Sequence, residues 1–182
     1  MSNSDLDWVK RVLEGDEDAY RNLIRAYQDM AYAIAIAVVK DEHLAQEVVQ
    51  DAFLKAYQRL NQFKLASSFK TWFYRIVTNE ALMCLRKKKR NNLVFIELPE
   101  NEVGYGDFTN EDLGKYVEQA LLALPSKESL VLRLFYLEQM KIQAVTDVTG
   151  WTAENVKVIL HRARKRMKQI INELIKKDKH AS

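Results

Sequence analysis

Apolar positions recur at helical spacing along most of this chain. From Asp16 to Val39, the residues Tyr20, Leu23, Ile24, Tyr27, Ala31, Ile34 and Val38 fall on one stripe, with Asp16 placed to cap it. A shorter helix precedes it, from about Asp5 to Glu14, and stops at Gly15. The tripeptide "KDE" at 40–42 breaks the pattern. A third helix over 42–60 follows, with Leu44, Val48, Ala52, Ala56 and Leu60 inward and Phe53 and Tyr57 alongside. The stretch "NQFKLASSFK" (61–70) has no clear period and reads as a structured loop. A fourth helix runs from about Lys70 to Arg90, with Trp72, Ile76, Ala81 and Leu85 as packing residues. Trp72, Phe73 and Tyr74 are adjacent and cannot all face one way, so some of them belong to the core.

The pattern then lapses. Residues 91–112, "NNLVFIELPENEVGYGDFTNED", hold one Pro, two Gly and six acidic residues, and they read as a flexible linker. Periodicity resumes in "EDLGKYVEQALLAL" and in "PSKESLVLRLFYLEQM", where Pro125 sits at a helix start and its missing N–H costs little. Two short helices follow. "KIQAVTDVTG" ends near Gly150, which tolerates the positive φ of a tight turn. Thr152 can cap the next helix, whose inward stripe is Val156, Leu160, Ala163 and Met167, with Ile159 beside it.

Composition agrees with this reading. The 182 residues are 48% hydrophobic and 29% charged, with only five Gly and two Pro to interrupt helices. The expected fold is all-α: a helical domain at 1–90, the linker at 91–112, and a helix-turn-helix domain at 113–182. Cys84 is the single cysteine and has no internal partner, which fits a reducing cytoplasm. The N-terminus lacks a secretory pattern, and the apolar run 31–39 is too short to span a bilayer. Gly-rich phosphate loops, metal-ligand clusters and nucleophile–base pairs are all missing from the sequence. No catalytic residue, metal or cofactor is therefore expected, and the chain reads as a non-enzyme.

Charge is strongly segregated although the net value is only +3. Residues 61–90 carry eight basic side chains and one acidic one, and residues 129–182 carry eleven and five. Between them, residues 91–128 carry two basic and eight acidic side chains. Two readings fit the basic blocks: two contacts with a polyanion, or two solvated helix ends.

The helix-turn-helix pattern favours the first reading for the C-terminal block. Its inward stripe leaves Lys157, Val158, His161, Arg162 and Lys165 outward, with Thr152, Ala153 and Glu154 at the exposed tip. In such motifs the second helix enters the major groove, its N-terminal part reads base edges, and basic residues further along hold phosphates. At the end of the fourth helix, "RKKKR" complements the helix dipole, and the charge there needs no ligand to explain it.

The order of segments adds a second line of reasoning. "EHLAQEVVQDAFLKAYQRLNQF", "SFKTWFYRIVTNEALMCLRKKKR", the acidic linker, "ALPSKESLVLRLFYLEQM" and "NVKVILHRARKRM" together resemble the extracytoplasmic-function (ECF) group of bacterial sigma factors, over about residues 10–172. The resemblance implies sigma regions 2 and 4 joined by a tether. It also implies that the protein binds core RNA polymerase and directs it to promoter DNA. Gln46, Glu47, Gln50, Asp51 and Leu54 match the surface that meets the clamp helices of the polymerase β′ subunit, and region 4 implies a contact with the β flap. Phe63, Lys64, Ser67, Ser68 and Phe69 match the loop that holds a flipped minus-ten base, and Asn79 matches a base-contacting position. Lys87, Lys88, Lys89 and Arg90 would hold phosphates, and the helix-turn-helix would read the minus-thirty-five element. Thr78 stands where the family often has Arg, implying one phosphate contact fewer. Thr146 stands where such motifs usually place Ala. The resemblance also implies an anti-sigma partner, which can hold the protein near the membrane without membrane insertion. A helix-turn-helix alone equally fits an ordinary DNA-binding regulator; the "VVQDAF" helix followed by an aromatic and basic helix does not.

Overall fold

The computed structural model describes residues 3–63, 68–91 and 110–181. Among them there are eight α-helices and no strand. The linker expected at 91–112, together with Lys64 and Ser67 of the expected base-holding loop, lies almost wholly outside the described residues.

Short-range chemistry sets the N-terminal boundaries. Helix α1 (Asn3–Leu13) ends before Gly15, whose φ of 100° suits glycine. Asp16 then caps α2 (Glu17–Val39) by accepting from the Ala19 N–H at 3.2 Å. The Arg11 guanidinium, and then that N–H, hold the Asp16 carboxyl below its usual range. Lys40 turns the chain in the left-handed region, and Asp41 caps α3 (Glu42–Gln58) by accepting from the Leu44 N–H. A 3-10 turn (Leu60–Gln62) leads to the loop, and α4 (Phe69–Asn91) follows.

Helices α2, α3 and α4 pack around Leu23, Tyr27, Ile34, Val48, Phe53, Phe73 and Val77. Each large side chain buried this way contributes about 1.5–3 kcal/mol. The Tyr27 hydroxyl donates to Asp5 at 2.8 Å and ties α1 to the bundle. The buried arc differs from the sequence expectation by about one position. Ala45 is buried in α3 and Leu44 only half-buried, while Tyr57 is exposed and packs edge-on against Tyr20. In α4, Trp72, Ile76 and Leu85 are half-buried, and Phe73, Tyr74, Val77 and Thr78 are buried. The reason is that α4 is covered from more than one side: α2 and α3 pack against it, and so does α7.

The C-terminal helices are α5 (Asn110–Ala123), α6 (Ser126–Leu132), α7 (Ile142–Thr149) and α8 (Ala153–Ala181). Pro125 occupies the N-cap of α6. The single helix expected after Pro125 is interrupted by a π-helical turn, Arg133–Leu137, and by Gln139 at φ 53°. Gly150, at φ 71°, closes α7 with its N–H on the Thr146 carbonyl, and the Asn155 N–H donates to Thr152 Oγ1 at the start of α8. Val145 and Val148 of α7 belong to one buried core with Val156, Leu160 and Ala163 of α8; α7 packs on α8, and α8 on α6. Thr146 is half-buried and donates to the Gln143 carbonyl of its own helix, so Val145, Val148 and Thr149 fill the buried side of α7.

The two bundles share one apolar seam. Helix α7 lies against α4, and α6 lies against α2. Polar contacts also cross it: the Tyr74 hydroxyl donates to Glu138, the Lys70 ammonium lies 3.4 Å from the same carboxylate, and the Lys40 ammonium donates to the Leu121 carbonyl at 2.7 Å.

Candidate nucleic-acid interface

Helix α8 presents the C-terminal face. Val156, Leu160 and Ala163 are buried, which rotates Thr152, Glu154, Lys157, Val158, His161, Arg162 and Lys165 to the outside. Val158 is 47% exposed, an apolar side chain held out among charges. Ala153 is half-buried, and the Thr152 hydroxyl is engaged in the cap. Asn155, which sequence reasoning passed over, is exposed one residue from Glu154. Two of the arginines have internal partners. Arg164 Nε donates to the Tyr136 hydroxyl at 2.7 Å, and Arg166 pairs with Glu128 at 3.0 Å. The positive charge of this helix therefore divides into an outward face and a set of struts.

Helix α4 presents the N-terminal face. Asn79 is exposed, and at spacings of three or four it shares a stripe with Arg75, Met83, Arg86, Lys87 and Arg90, all exposed. Arg75, Met83 and Arg86 were not singled out from the sequence. Their signal was present in the i±4 positions around Asn79, but the aromatic run at the helix start drew the reading to other residues. Met83 is 52% exposed, next to Asn79 on this stripe. Lys89 is also exposed.

Four expectations need correction. Phe63 and Phe69 are core residues, 9% and 2% exposed, so neither ring is available to a base. They pack against each other, against Trp72 and, for Phe69, against Phe73 and Tyr27, because the helix start and the 3-10 turn must be sealed over the bundle. Lys88 is half-buried and bonded to Asp41 at 3.1 Å, fastening the end of α4 to the cap of α3 rather than facing a phosphate. Thr78 is fully buried, so the loss of a phosphate contact inferred there does not apply. Ser68 is half-buried and caps α4, accepting from the Thr71 N–H at 3.1 Å.

A third surface lies on α3. Gln46, Glu47, Gln50, Asp51 and Leu54 are all exposed on one side, opposite Val48, Ala52 and Ala56. Leu54 is 56% exposed and lines a groove of about 460 Å³ with Tyr20, Ile24, Phe53 and Tyr57. On the C-terminal bundle, Val117, Leu121, Leu132, Leu137 and Met167 line a second groove of about 420 Å³ with Arg164 and Lys168 at its rim.

The two exposed faces lie on separate helices, Asn79 to Arg90 on α4 and Lys157 to Lys165 on α8. The family comparisons give the class. A Sigma-70 region 2 model matches residues 23–91, and a Sigma-70, region 4 model matches residues 114–167. The chain belongs to the sigma-70 family of RNA polymerase sigma factors. Within it, the relatives are of the ECF group. The ECF RNA polymerase sigma factor SigW of Bacillus subtilis is 27% identical, covering 91% of this chain and 96% of its own length. The ECF RNA polymerase sigma-E factor of Escherichia coli K12 is also 27% identical, over 93% and 95%. The chain is an ECF-type sigma factor that directs transcription initiation. Among solved structures, CnrH in complex with the cytosolic domain of CnrY shares the fold with a TM-score of 0.66 at 20% identity, over 94% of this chain and 99% of that one. RpoE in complex with the anti-sigma factor NepR, from Bartonella quintana, does so with a TM-score of 0.66 at 22% identity, over 84% and 96%.

Proposed function

We propose that residues 1–90 bind core RNA polymerase and recognise and melt the minus-ten element, that residues 113–182 read the minus-thirty-five element, and that residues 91–112 tether the two. The observation that carries this reading is the presence, in one chain, of two outward basic faces on separate helices: Asn79 to Arg90 on α4 and Lys157 to Lys165 on α8. Asn79 has the amide geometry to contact a base edge, and Met83 offers an apolar surface for an unstacked base. Arg75, Arg86, Lys87, Lys89 and Arg90 supply phosphate contacts. On α8, Lys157, Val158, His161 and Arg162 face bases, and Lys165 faces the backbone.

The polymerase β′ clamp helices are assigned to the α3 face formed by Gln46, Glu47, Gln50, Asp51 and Leu54. An exposed leucine among uncharged and acidic neighbours suits a partner with both apolar and basic groups. The β flap is assigned to the apolar groove of the C-terminal bundle. With Phe63 and Phe69 in the core and Ser68 engaged in the cap of α4, a flipped base would be held by Lys64 and Ser67 together with Asn79. An anti-sigma factor is proposed as regulator, because both structurally similar proteins are seen bound to another protein: CnrH to the cytosolic domain of CnrY, and the sigma factor RpoE to the anti-sigma factor NepR. No described helix is long and apolar enough to cross a membrane, so membrane proximity would come through such a partner. The proposed site of action is the cytoplasm.

Run-off transcription with purified core polymerase on a promoter library tests the reading. Transcripts that require this protein and share two upstream elements support it. Tight duplex binding without any association with polymerase would instead define an ordinary DNA-binding regulator.

A further inference from the structure

We propose that Glu154 and Val158 choose two bases of the upstream element. Glu154 accepts a hydrogen bond from the N4 amino group of a cytosine, and Val158 packs on the 5-methyl group of a thymine one or two base pairs away. The inference rests on the assignment of α8 to the minus-thirty-five element and names what that helix selects there.

Angular placement carries the argument. At about 100° per residue, with Glu154 at 0°, Val158 lies at about 40°, Lys165 at about 20° and His161 at about −20°. Buried Ala163, Val156 and Leu160 lie on the far side, at about 180°, 200° and 240°. The ridge that projects farthest from the core is thus Glu154, Val158, His161 and Lys165, all exposed. Lys157 at about −60° and Arg162 at about 80° flank it, also exposed. In the first turns the basic charge lies on the flanks, and the centre line carries a carboxylate and a branched apolar side chain.

The fold gives neither residue a task. Glu154 is the only acidic side chain between Asp147 and Glu173. An acid in the first turn favours the helix dipole, but Ala153 and Asn155 stand in the same turn and off the ridge, at about −100° and 100°. On the ridge, a carboxylate repels the phosphates of any duplex and gains only where a donor faces it. The donors in the major groove are the amino groups of cytosine and adenine. Adenine sets its N7 acceptor beside the amino group, and an acceptor-only carboxylate is repelled by it, which leaves cytosine. Guanine and thymine present acceptors at their O6 and O4 atoms, so Glu154 rejects them actively. Val158 places a β-branched residue of modest helix propensity at an exposed site, and thymine alone offers a methyl group in the major groove. The two side chains are four residues apart, about 6 Å along α8 against about 3.4 Å per base pair, which sets the spacing of their targets.

The test is selection on a promoter library randomised over both elements, with the full chain bound to core polymerase. The unsubstituted protein should enrich one cytosine and one thymine within two base pairs of each other in the upstream element. Glu154→Gln supplies a donor and an acceptor, and it should move the first preference from cytosine to adenine while leaving the thymine unchanged. On the selected promoter, deoxyuridine in place of that thymine removes only the methyl group. It should weaken upstream binding by the unsubstituted protein about threefold or more, and binding by Val158→Ser should not respond. Circular dichroism checks that both variants keep their helix content. A cytosine preference that persists in Glu154→Gln would overturn the proposal, and so would indifference of the unsubstituted protein to deoxyuridine. Failure to enrich any upstream element would overturn the assignment of α8 as well, so the two failures are distinct.

Discussion

Tyr74 and Glu138 are 64 residues apart in sequence and bonded through the phenol hydroxyl and the carboxylate. Burial, and then the Glu138 charge, push the Tyr74 pKa upward, so the phenol remains a proton donor throughout the working pH range. A hydrogen bond to a charged acceptor contributes about 1.5–3 kcal/mol. Tyr74→Phe should lower chemical-denaturation stability by about that amount while leaving helix content unchanged. A stability loss below about 0.5 kcal/mol would show that the seam does not depend on this bond.

Lys40 makes the seam sensitive to pH. Burial, with the nearby Arg133 charge, pushes its pKa down to about 7 from 10.5. In the unfolded chain Lys40 returns to its ordinary value. Between these two values the unfolded state binds more protons, so the fold gains stability as pH rises from about 7 to about 10.5. Chemical-denaturation stability should therefore be higher at pH 9 than at pH 6.5. Lys40→Met should abolish that difference, and a pH response that survives the substitution would remove Lys40 from the account.

Asn79 is the residue on α4 expected to read a base. Asn79→Ala should reduce promoter opening about tenfold or more, from the loss of a base-edge contact worth about 1–3 kcal/mol, with polymerase affinity nearly unchanged. Permanganate reactivity of the melted strand measures the first quantity and a pull-down titration the second. Equal losses in both would point to misfolding.

The basic residues of α8 separate by role. Lys165→Ala should weaken upstream-element binding and lower the slope of log affinity against log salt by about one. Arg164→Ala should leave that slope unchanged and lower the melting temperature, because its guanidinium is bonded to Tyr136 and lies against the Phe135 ring. Identical behaviour of the two variants would refute the division into face and strut.

Leu54→Asp places a charge on the proposed polymerase surface without touching the core. Polymerase affinity should fall at least tenfold while thermal stability stays within about 0.5 kcal/mol. Unchanged affinity would move the contact elsewhere on α3.

What the sequence disclosed, and what it concealed, follows from range. Asp16, Asp41, Pro125, Gly150 and Thr152 mark helix ends through bonds to atoms within four residues, and each could be read locally. Much of the stripes of α2 (Leu23, Tyr27, Ala31, Ile34, Val38) and α8 (Val156, Leu160, Ala163) was legible because these buried residues recur at spacings of three and four. Helix α4 was not, because α7 covers a second side of it, and no local signal marks Tyr74 or Thr78 as buried. Phe63 and Phe69 were read as base-holding through the family resemblance alone, and an aromatic ring beside a polar loop suits the core equally well. Only burial separates the two roles. Lys88 looked like a phosphate contact because its acceptor, Asp41, is 47 residues distant.

The edge-on contact of Phe63 with Phe69, ring centres 6.0 Å apart, has a consequence for how promoter preference diversifies. The two rings anchor the ends of the loop independently of what lies between them. On the proposed assignment, exchanging residues 64–67 for the equivalent stretch of another sigma factor is expected to alter minus-ten preference while the bundle, held by Phe63 and Phe69, keeps its stability.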